Sequence, residues 1–191
     1  MNPFVLEEPA SLVEALQLLD PEDPEVHAIA GGTALMLMMK SELYRPKRLV
    51  SLRRLEPTLT GIHVVADGGL EIGAMARLRD IERSEVVRAA APVIAETLLT
   101  HSNVRVRNVA TLGGNLAHGD PHMDLPPVLI ALGASVRIEG PAGQREIAVE
   151  DLVTGYLETA LANNELITAV GDPTANRAAQ HVCQMHGAYC R

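Results

Sequence analysis

Apolar residues at Leu12, Ala15, Leu16 and Leu19 recur at helical spacing and put one hydrophobic face on a helix from Ser11 to about Asp20. Ser11 and Glu14 have the spacing of a capping box, in which the hydroxyl accepts an early helix amide and the carboxylate reaches back to the Ser11 N–H. Pro21 and Pro24 end the helix. The short apolar run from Val26 to Ala30 predicts a buried strand, and Gly31-Gly32-Thr33 follows at once. Ala34 to Met39 is apolar on nearly every side and predicts a buried helix, with Met36, Met38 and Met39 as core. Leu49 to Leu52, after Pro46, predicts a second strand. Alternation of helix and strand favours parallel pairing in this N-terminal unit.

The pattern changes in the middle of the chain. Gly61 to Ala66 and Leu70 to Ala74 flank Asp67-Gly68-Gly69, a hairpin signal. Leu78 to about Thr100 reads as helical, divided at Pro92. Leu125 to Leu132 reads as a helix opened by Pro126-Pro127 in its first turn. Ser135 to Glu139 and Glu146 to Val149 flank a second hairpin turn, Gly140 to Gly143, and Leu166 to Val170 is a last strand. This part predicts an antiparallel sheet with helices, so the chain as a whole is α+β. No repeat of fixed period is present.

Composition narrows the reading. Hydrophobic residues make up 47% of the 191 and charged residues 21%, which is globular rather than disordered. One Phe, three Tyr and no Trp require an aliphatic core. The net charge of −8 and the few aromatics argue against nucleic-acid binding, despite the basic clusters Arg45-Pro46-Lys47-Arg48 and Arg53-Arg54. No apolar run has the length of a membrane span, and Met1 to Glu8 lacks a basic leader, so a cytoplasmic protein is expected. The only cysteines are Cys183 and Cys190, so no disulfide framework supports the fold.

The chemistry concentrates in two glycine loops. Ala30-Gly31-Gly32-Thr33-Ala34 joins a strand to a helix. Glycine lets the backbone turn sharply and approach a ligand, and the helix start offers free N–H groups to phosphate. The same loop alone is more often a simple tight turn. The second loop, Ala110 to Leu116 with Gly113-Gly114, continues into the polar segment Ala117 to Asp124. Thr111, Asn115 and backbone amides can donate to a pyrophosphate. Asp124 can accept from sugar hydroxyls or simply cap the helix that follows. No G-x-G-x-x-G and no Walker A loop occurs.

AGGTALMLMMK (Ala30 to Lys40) together with RNVATLGGNLAHGDPHMDLPP (Arg107 to Pro127) resembles the FAD-binding medium subunit of molybdenum hydroxylases of the carbon-monoxide and xanthine dehydrogenase type. The resemblance extends over residues 1–170, including Pro9 to Leu19 and Asn163 to Val170. It implies a two-lobed FAD fold of the PCMH/vanillyl-alcohol-oxidase type, with a small α/β lobe over 1–55 and a larger, mainly antiparallel lobe over 56–170. FAD would lie between them. Ala28, Ile29, Ala30, Gly31, Gly32, Thr33, Ala34 and Leu35 would wrap the pyrophosphate from the first lobe. Thr111, Gly113, Gly114 and Asn115 would hold it from the second. Ala117 and His118 would sit beside the cofactor, Asp124 would bind ribityl or ribose hydroxyls, and Ile167 would line the flavin ring.

The implied chemistry is electron relay, with no side chain needed as a catalytic acid or base. An iron–sulfur small subunit would carry [2Fe–2S] clusters, and a large subunit would carry the molybdenum cofactor. Such subunits continue into a further C-terminal domain, whereas residues 171–191 show no resemblance, so a truncated or frameshifted tail is expected. Two other readings stand beside this one. His118, Asp120, His122 and Asp124 offer ligand types for a metal-binding hydrolase, and the chain could be a non-catalytic remnant without flavin. His181, Cys183, His186 and Cys190 resemble a zinc ligand set at spacing too compressed for a usual finger. His101 and the Arg105/Arg107 pair could contact a partner or the cofactor's phosphate, with surface solvation as the default.

Overall fold

The computed structural model describes residues 3–66 and 68–172. Of the expected tail, 171–191, only Gly171 and Asp172 are described, as the end of the last strand, and its zinc-like set lies outside the described residues. The first unit runs β1 (Val5–Glu7), α1 (Leu12–Leu18), β2 (Val26–Ile29), α2 (Thr33–Lys40) and β3 (Arg48–Ser51). Its three strands are parallel in the order β1-β3-β2, with Arg48 of β3 opposite both Val5 and Val26. Strand β1 was not expected, because Val5 and Leu6 are both exposed and leave no alternation to read.

Ser11 caps α1 as its spacing predicts, accepting the Glu14 N–H at 3.2 Å. The reciprocal bond differs. The Glu14 carboxylate takes the Ala10 N–H at 2.8 Å, one residue earlier than the capping-box pattern places it. Helix α2 also departs from expectation. Only Met39 is buried and Leu37 is 65% exposed. The reason is that Leu35 and Met38 face a cavity rather than packed core.

A helical turn at Arg53–Leu55 and α3 (Glu56–Leu59) lead into the second unit. There β4 (Ile62–Val64) and β5 (Leu70–Gly73) form the expected hairpin. The long helical stretch is three helices: α4 (Leu78–Arg83), α5 (Glu85–Ala90) and α6 (Pro92–Thr100). Pro92 opens α6 as expected. The additional break falls at Ser84, whose hydroxyl accepts the Val87 N–H and caps α5. Three further helices follow, α7 (Val104–Arg107), α8 (Leu112–Ala117) and α9 (Leu125–Ala131). The chain then adds β6 (Ser135–Gly140), β7 (Gly143–Ala148), the small pair β8 (Val153–Gly155) and β9 (Glu158–Thr159), and β10 (Leu166–Asp172).

The large sheet has the order β4-β5-β10-β6-β7, antiparallel throughout, with β10 in the middle. Five of the seven β10 residues in sequence, Leu166 to Val170, are buried, as a central strand covered on both faces requires. The larger core lies between this sheet and the helices, with Leu70, Ile72, Leu78, Ile81, Ile94, Leu98, Leu129 and Ile138. A smaller core fills the first unit around Ala15, Leu19, Val26, Val50 and Leu52. It also takes in Met75 and Leu166 from the second unit. The two units are thus joined by shared apolar packing, and the architecture is the α+β arrangement read from the pattern.

Candidate functional site

A cavity of about 640 Å³ opens between the two units, within the ~300–1,000 Å³ range of small-molecule sites. Both glycine motifs line it. From the first unit come Ala28, Ile29, Ala30, Gly31, Gly32, Thr33, Ala34 and Leu35. From the second come Thr111, Gly113, Gly114, Asn115, Ala117 and His118, with Ile167 from β10. Residues read as two separate motifs therefore face one space.

The four glycines do different things. A Cβ on Gly31 would stand 2.2 Å from the Val109 carbonyl oxygen and 2.9 Å from the Ala110 Cα, so Gly31 lets the first unit close against the second. Gly32 has φ +69°, the left-handed turn that starts α2. A Cβ on Gly113 would meet Ala74 Cβ at 2.7 Å, so this glycine seats α8 on the end of β5. Gly114 is exposed and sits under the Thr111 hydroxyl.

Free donors are distributed unequally. The N-cap of α2 is Gly32, which has no side chain to cap with, and Met36 N–H is the first to bond back, to the Gly32 carbonyl at 2.9 Å. The amides of Thr33, Ala34 and Leu35 have no hydrogen-bond partner among the described residues. They stand at the positive end of an eight-residue helix, on the cavity wall.

The second motif corrects its reading as an amide-donating loop. Gly113 and Gly114 lie in the first turn of helix α8, and the amides there are already used. Leu112 N–H bonds Ala76 O at 3.0 Å, Gly113 N–H bonds Ala74 O at 2.8 Å, and Gly114 N–H bonds Thr111 Oγ1 at 3.2 Å. What the second unit offers is side chains. Thr111 keeps its hydroxyl proton, and Asn115, 7% exposed, has an Oδ1 with no partner while its Nδ2 reaches only Met123 Sδ at 3.1 Å. A buried carbonyl oxygen left alone costs free energy unless a ligand donor meets it.

Asp124 is the one expected site residue that does not line the cavity. It makes no capping bond to α9, and its Oδ2 instead lies 3.0 Å from Nδ1 of buried His101. Sequence spacing gives no sign of this pair, 23 residues apart. Arg107 is also buried, against the expectation of solvation. Its Nε donates to Glu82 Oε2 at 2.8 Å, and its NH1 donates to the carbonyls of His101 at 2.9 Å and Ser102 at 2.8 Å. Glu82 also pairs with Arg79. Burial works to raise the Glu82 pKa, but the hydrogen bonds from Arg79 and Arg107 outweigh it and hold the carboxyl below its usual range. Arg105 is exposed as expected.

The hairpin of β8 and β9 closes another side. Leu157 adopts φ +57°, and its N–H donates to the Gly119 carbonyl at 3.1 Å, laying Leu157, Glu158 and Thr159 along the cavity. His27 and Tyr44 also line it, with no sequence signal marking them, and so does His101, for which contact with the cofactor's phosphate was the alternative to solvation. The metal-centre reading finds no support in the geometry. Asp120 is bonded by the backbone and ring of His122, and Asp124 by His101. Among the described residues no three His, Cys, Asp or Glu side chains are grouped to share a metal ion. Among them, too, no helix is long and apolar enough to cross a membrane.

A two-lobed α+β domain with a ligand cavity between its lobes, walled by a helix N-terminus on one side and Thr and Asn side chains on the other, is the architecture of a dinucleotide-binding flavoprotein domain. The chain belongs to the family of FAD-binding domains in molybdopterin dehydrogenases, whose sequence model matches residues 2–175. It is 35% identical over 170 residues to the carbon monoxide dehydrogenase medium chain of Afipia carboxidovorans, across 89% of this chain and 58% of that one. It is 26% identical to the xanthine dehydrogenase FAD-binding subunit of Escherichia coli O157:H7, across 94% and 60% of the two chains. Among solved structures, carbon monoxide dehydrogenase of Hydrogenophaga pseudoflava lacking the Mo-pyranopterin moiety superposes with a TM-score of 0.86 at 35% identity, over 91% of this chain and 60% of that one. The chain thus spans about three fifths of the length of these relatives.

Proposed function

We propose that this chain holds FAD between its two lobes and serves as the electron-transferring medium subunit of a molybdenum hydroxylase. Its partners would be an iron–sulfur small subunit with [2Fe–2S] clusters and a large subunit with the molybdenum cofactor, in the cytoplasm. The observation that carries this reading is the set of three unpartnered amides at Thr33, Ala34 and Leu35, facing Thr111 and Asn115 across one cavity. The residues fit the cofactor. A pyrophosphate is a dianion, and it would accept from those amides at the positive end of α2 and from the Thr33 and Thr111 hydroxyls. The unpaired Asn115 Oδ1 would accept from a cofactor hydroxyl or amine. Glu165, which also lines the cavity, accepts from Nε and Nη2 of Arg145 at 2.8 and 2.7 Å, so its charge is neutralised before an anion arrives.

When bound, FAD supplies the exchange of electrons between one-electron clusters and an external acceptor. The chain's own residues bind and orient. The wall of Ile29, Leu35, Met38 and Ile167 keeps water from the ring system. Gly31 sets how closely the lobes approach, and Gly113 seats α8 on the end of β5 within the second lobe. The division into lobes at residues 1–55 and 56–170 belongs to this proposal, as does the placing of Asp124 on cofactor hydroxyls, for which its exposed carboxylate would need to exchange His101 for the ligand. The test is direct. The purified full chain should bind FAD stoichiometrically, show a flavin absorption spectrum and release FAD on denaturation. A chain that stays colourless after reconstitution with excess FAD refutes the reading.

A further inference from the structure

The chain leaves α6 through a turn that runs against the preference of its residues. His101 ends the helix, and Ser102 then adopts φ +54°, the left-handed region that an L side chain resists. Asn103 opens α7 at once, its side chain accepting the Val106 N–H at 3.1 Å. For an ordinary residue the left-handed form is disfavoured by about 5- to 30-fold. Ser102 is exposed, so packing of its own side chain does not hold it there. Yet His101 and Ser102 both line the cavity between the lobes, where their placement matters.

Arg107 is what holds the turn. Its Nη1 donates to the carbonyls of His101 at 2.9 Å and Ser102 at 2.8 Å. Those two carbonyls flank the Ser102 φ rotation, so one nitrogen bonded to both restrains it. The Nε of the same guanidinium donates to Glu82 Oε2 at 2.8 Å, which aims the planar fork from α4. Arg107 and Glu82 are both buried, and neither lines the cavity. The His101 ring is held from a different direction, with Nδ1 3.0 Å from Asp124 Oδ2 at the start of α9. His101 is therefore fixed by its backbone through Arg107 and by its side chain through Asp124.

We infer that Arg107, aimed by Glu82, is a positioning residue that fixes the left-handed turn at Ser102 and so holds His101 in the cavity wall beside Asp124. Arg107 acts on a ligand only through this turn. Its effect on cofactor affinity rests on the FAD reading above, whereas its effect on His101 is a property of the chain alone. A merely structural Arg107 would behave differently. Glycine adopts a positive φ without steric cost but otherwise loosens a chain. Ser102→Gly should thus repair the loss of a clamp and aggravate the loss of simple packing.

The test uses the full chain and three variants. Arg107→Lys keeps a positive charge near Glu82 but lacks the planar fork. The second variant adds Ser102→Gly to Arg107→Lys. Ser102→Val leaves Arg107 and Glu82 intact and opposes the turn with a branched side chain. In NMR spectra of the ligand-free parent, the His101 ring signals, identified by their loss in His101→Gln, should shift when Asp124→Asn is introduced. That response should vanish in the Arg107→Lys and Ser102→Val backgrounds and return in the double variant. FAD should bind about 5- to 30-fold more weakly to Arg107→Lys and to Ser102→Val, and within about 3-fold of the parent to the double variant. An Arg107→Lys protein with the parent's His101 response and FAD affinity overturns the inference. So does a double variant that binds no better than Arg107→Lys, or a parent whose His101 ignores Asp124→Asn. If Arg107→Lys does not fold, Ser102→Val decides, and an unchanged His101 response there overturns the inference. A parent chain that shows the His101 response but binds no FAD refutes the FAD reading and leaves the clamp standing.

Discussion

Replacing Gly31 by alanine tests whether the two lobes truly meet at the first glycine motif. The added Cβ would lie 2.2 Å from the Val109 carbonyl oxygen, where ordinary contact begins at 3.4 Å. Backbone must therefore separate by about 1.2 Å, and neither Val109 nor Ala110 can yield by rotating a side chain. Gly31 has no positive φ, so its own conformation admits alanine. At such a position Gly→Ala normally stabilises by about 0.4–1 kcal/mol, through the unfolded chain. Here the clash reverses the sign, with an overpacking cost of about 1–3 kcal/mol. For a domain of this size that lowers Tm by roughly 2–4 °C per kcal/mol. Because the same displacement opens the cavity, FAD affinity should fall together with Tm. Gly133→Ala is the control. It has φ +68° and open space around the Cβ, so it should cost about 1–2 kcal/mol and leave FAD affinity alone. The measurement is thermal unfolding alongside an FAD titration of each variant. A Gly31→Ala protein as stable as the parent chain would refute the close approach of the lobes.

Glu82→Gln should destabilise by about 3–5 kcal/mol in urea unfolding, because buried Arg107 and half-buried Arg79 would keep their charges without a counter-ion. The folded-state pKa of Glu82 lies below the ordinary 4.5, so its contribution is present above that value and is lost as pH falls through the lower one. Urea midpoints measured from pH 6 to pH 3 should decline more steeply in the parent chain than in Glu82→Gln, and equal slopes would count against the network. Thr111→Ala removes the cap of α8 and should cost about 0.5–2 kcal/mol, with weaker FAD binding by isothermal titration. Leu166→Ala should cost about 2–5 kcal/mol and loosen the first lobe as well as the second, seen as faster amide exchange around Val26 and Val50.

Much of this was readable in the chain because local signals agreed with the final packing. Helix α1 announced itself by Ser11 and its apolar face, and both hairpins by their glycine turns. The motifs that face the cavity were identified, but the division of labour among their glycines was not, since the neighbours of Gly31 are Val109 and Ala110, far along the chain. Two adjacent glycines, poor helix formers, make the start of helix α8 look like a loop in the sequence. Its real signal is Thr111 capping Gly114, a pattern the glycines mask. Ser84 had the same kind of signal and could have been found. The burial of Arg107 and the pairing of His101 with Asp124 depend on helices brought together by the fold, and no local pattern encodes them. Tyr44 carries no local signal for the same reason, its partners Pro24 and His27 lying well back along the chain.

The placing of β10 has a consequence for how the molecule is made. This strand is the middle of the large sheet, pairing with β5 from about one hundred residues earlier, and its Leu166 completes the core of the first lobe. During synthesis at the ribosome, β5 and β6 therefore emerge with a partner edge unfilled, and the first lobe with a gap among its apolar residues. Neither can close until residues 166–172 arrive. Contacts this distant in sequence slow folding, since the loop must close before they stabilise anything. Nascent chains shorter than this point would expose two unpaired strand edges and should be the species that chaperones hold and that aggregates when they do not.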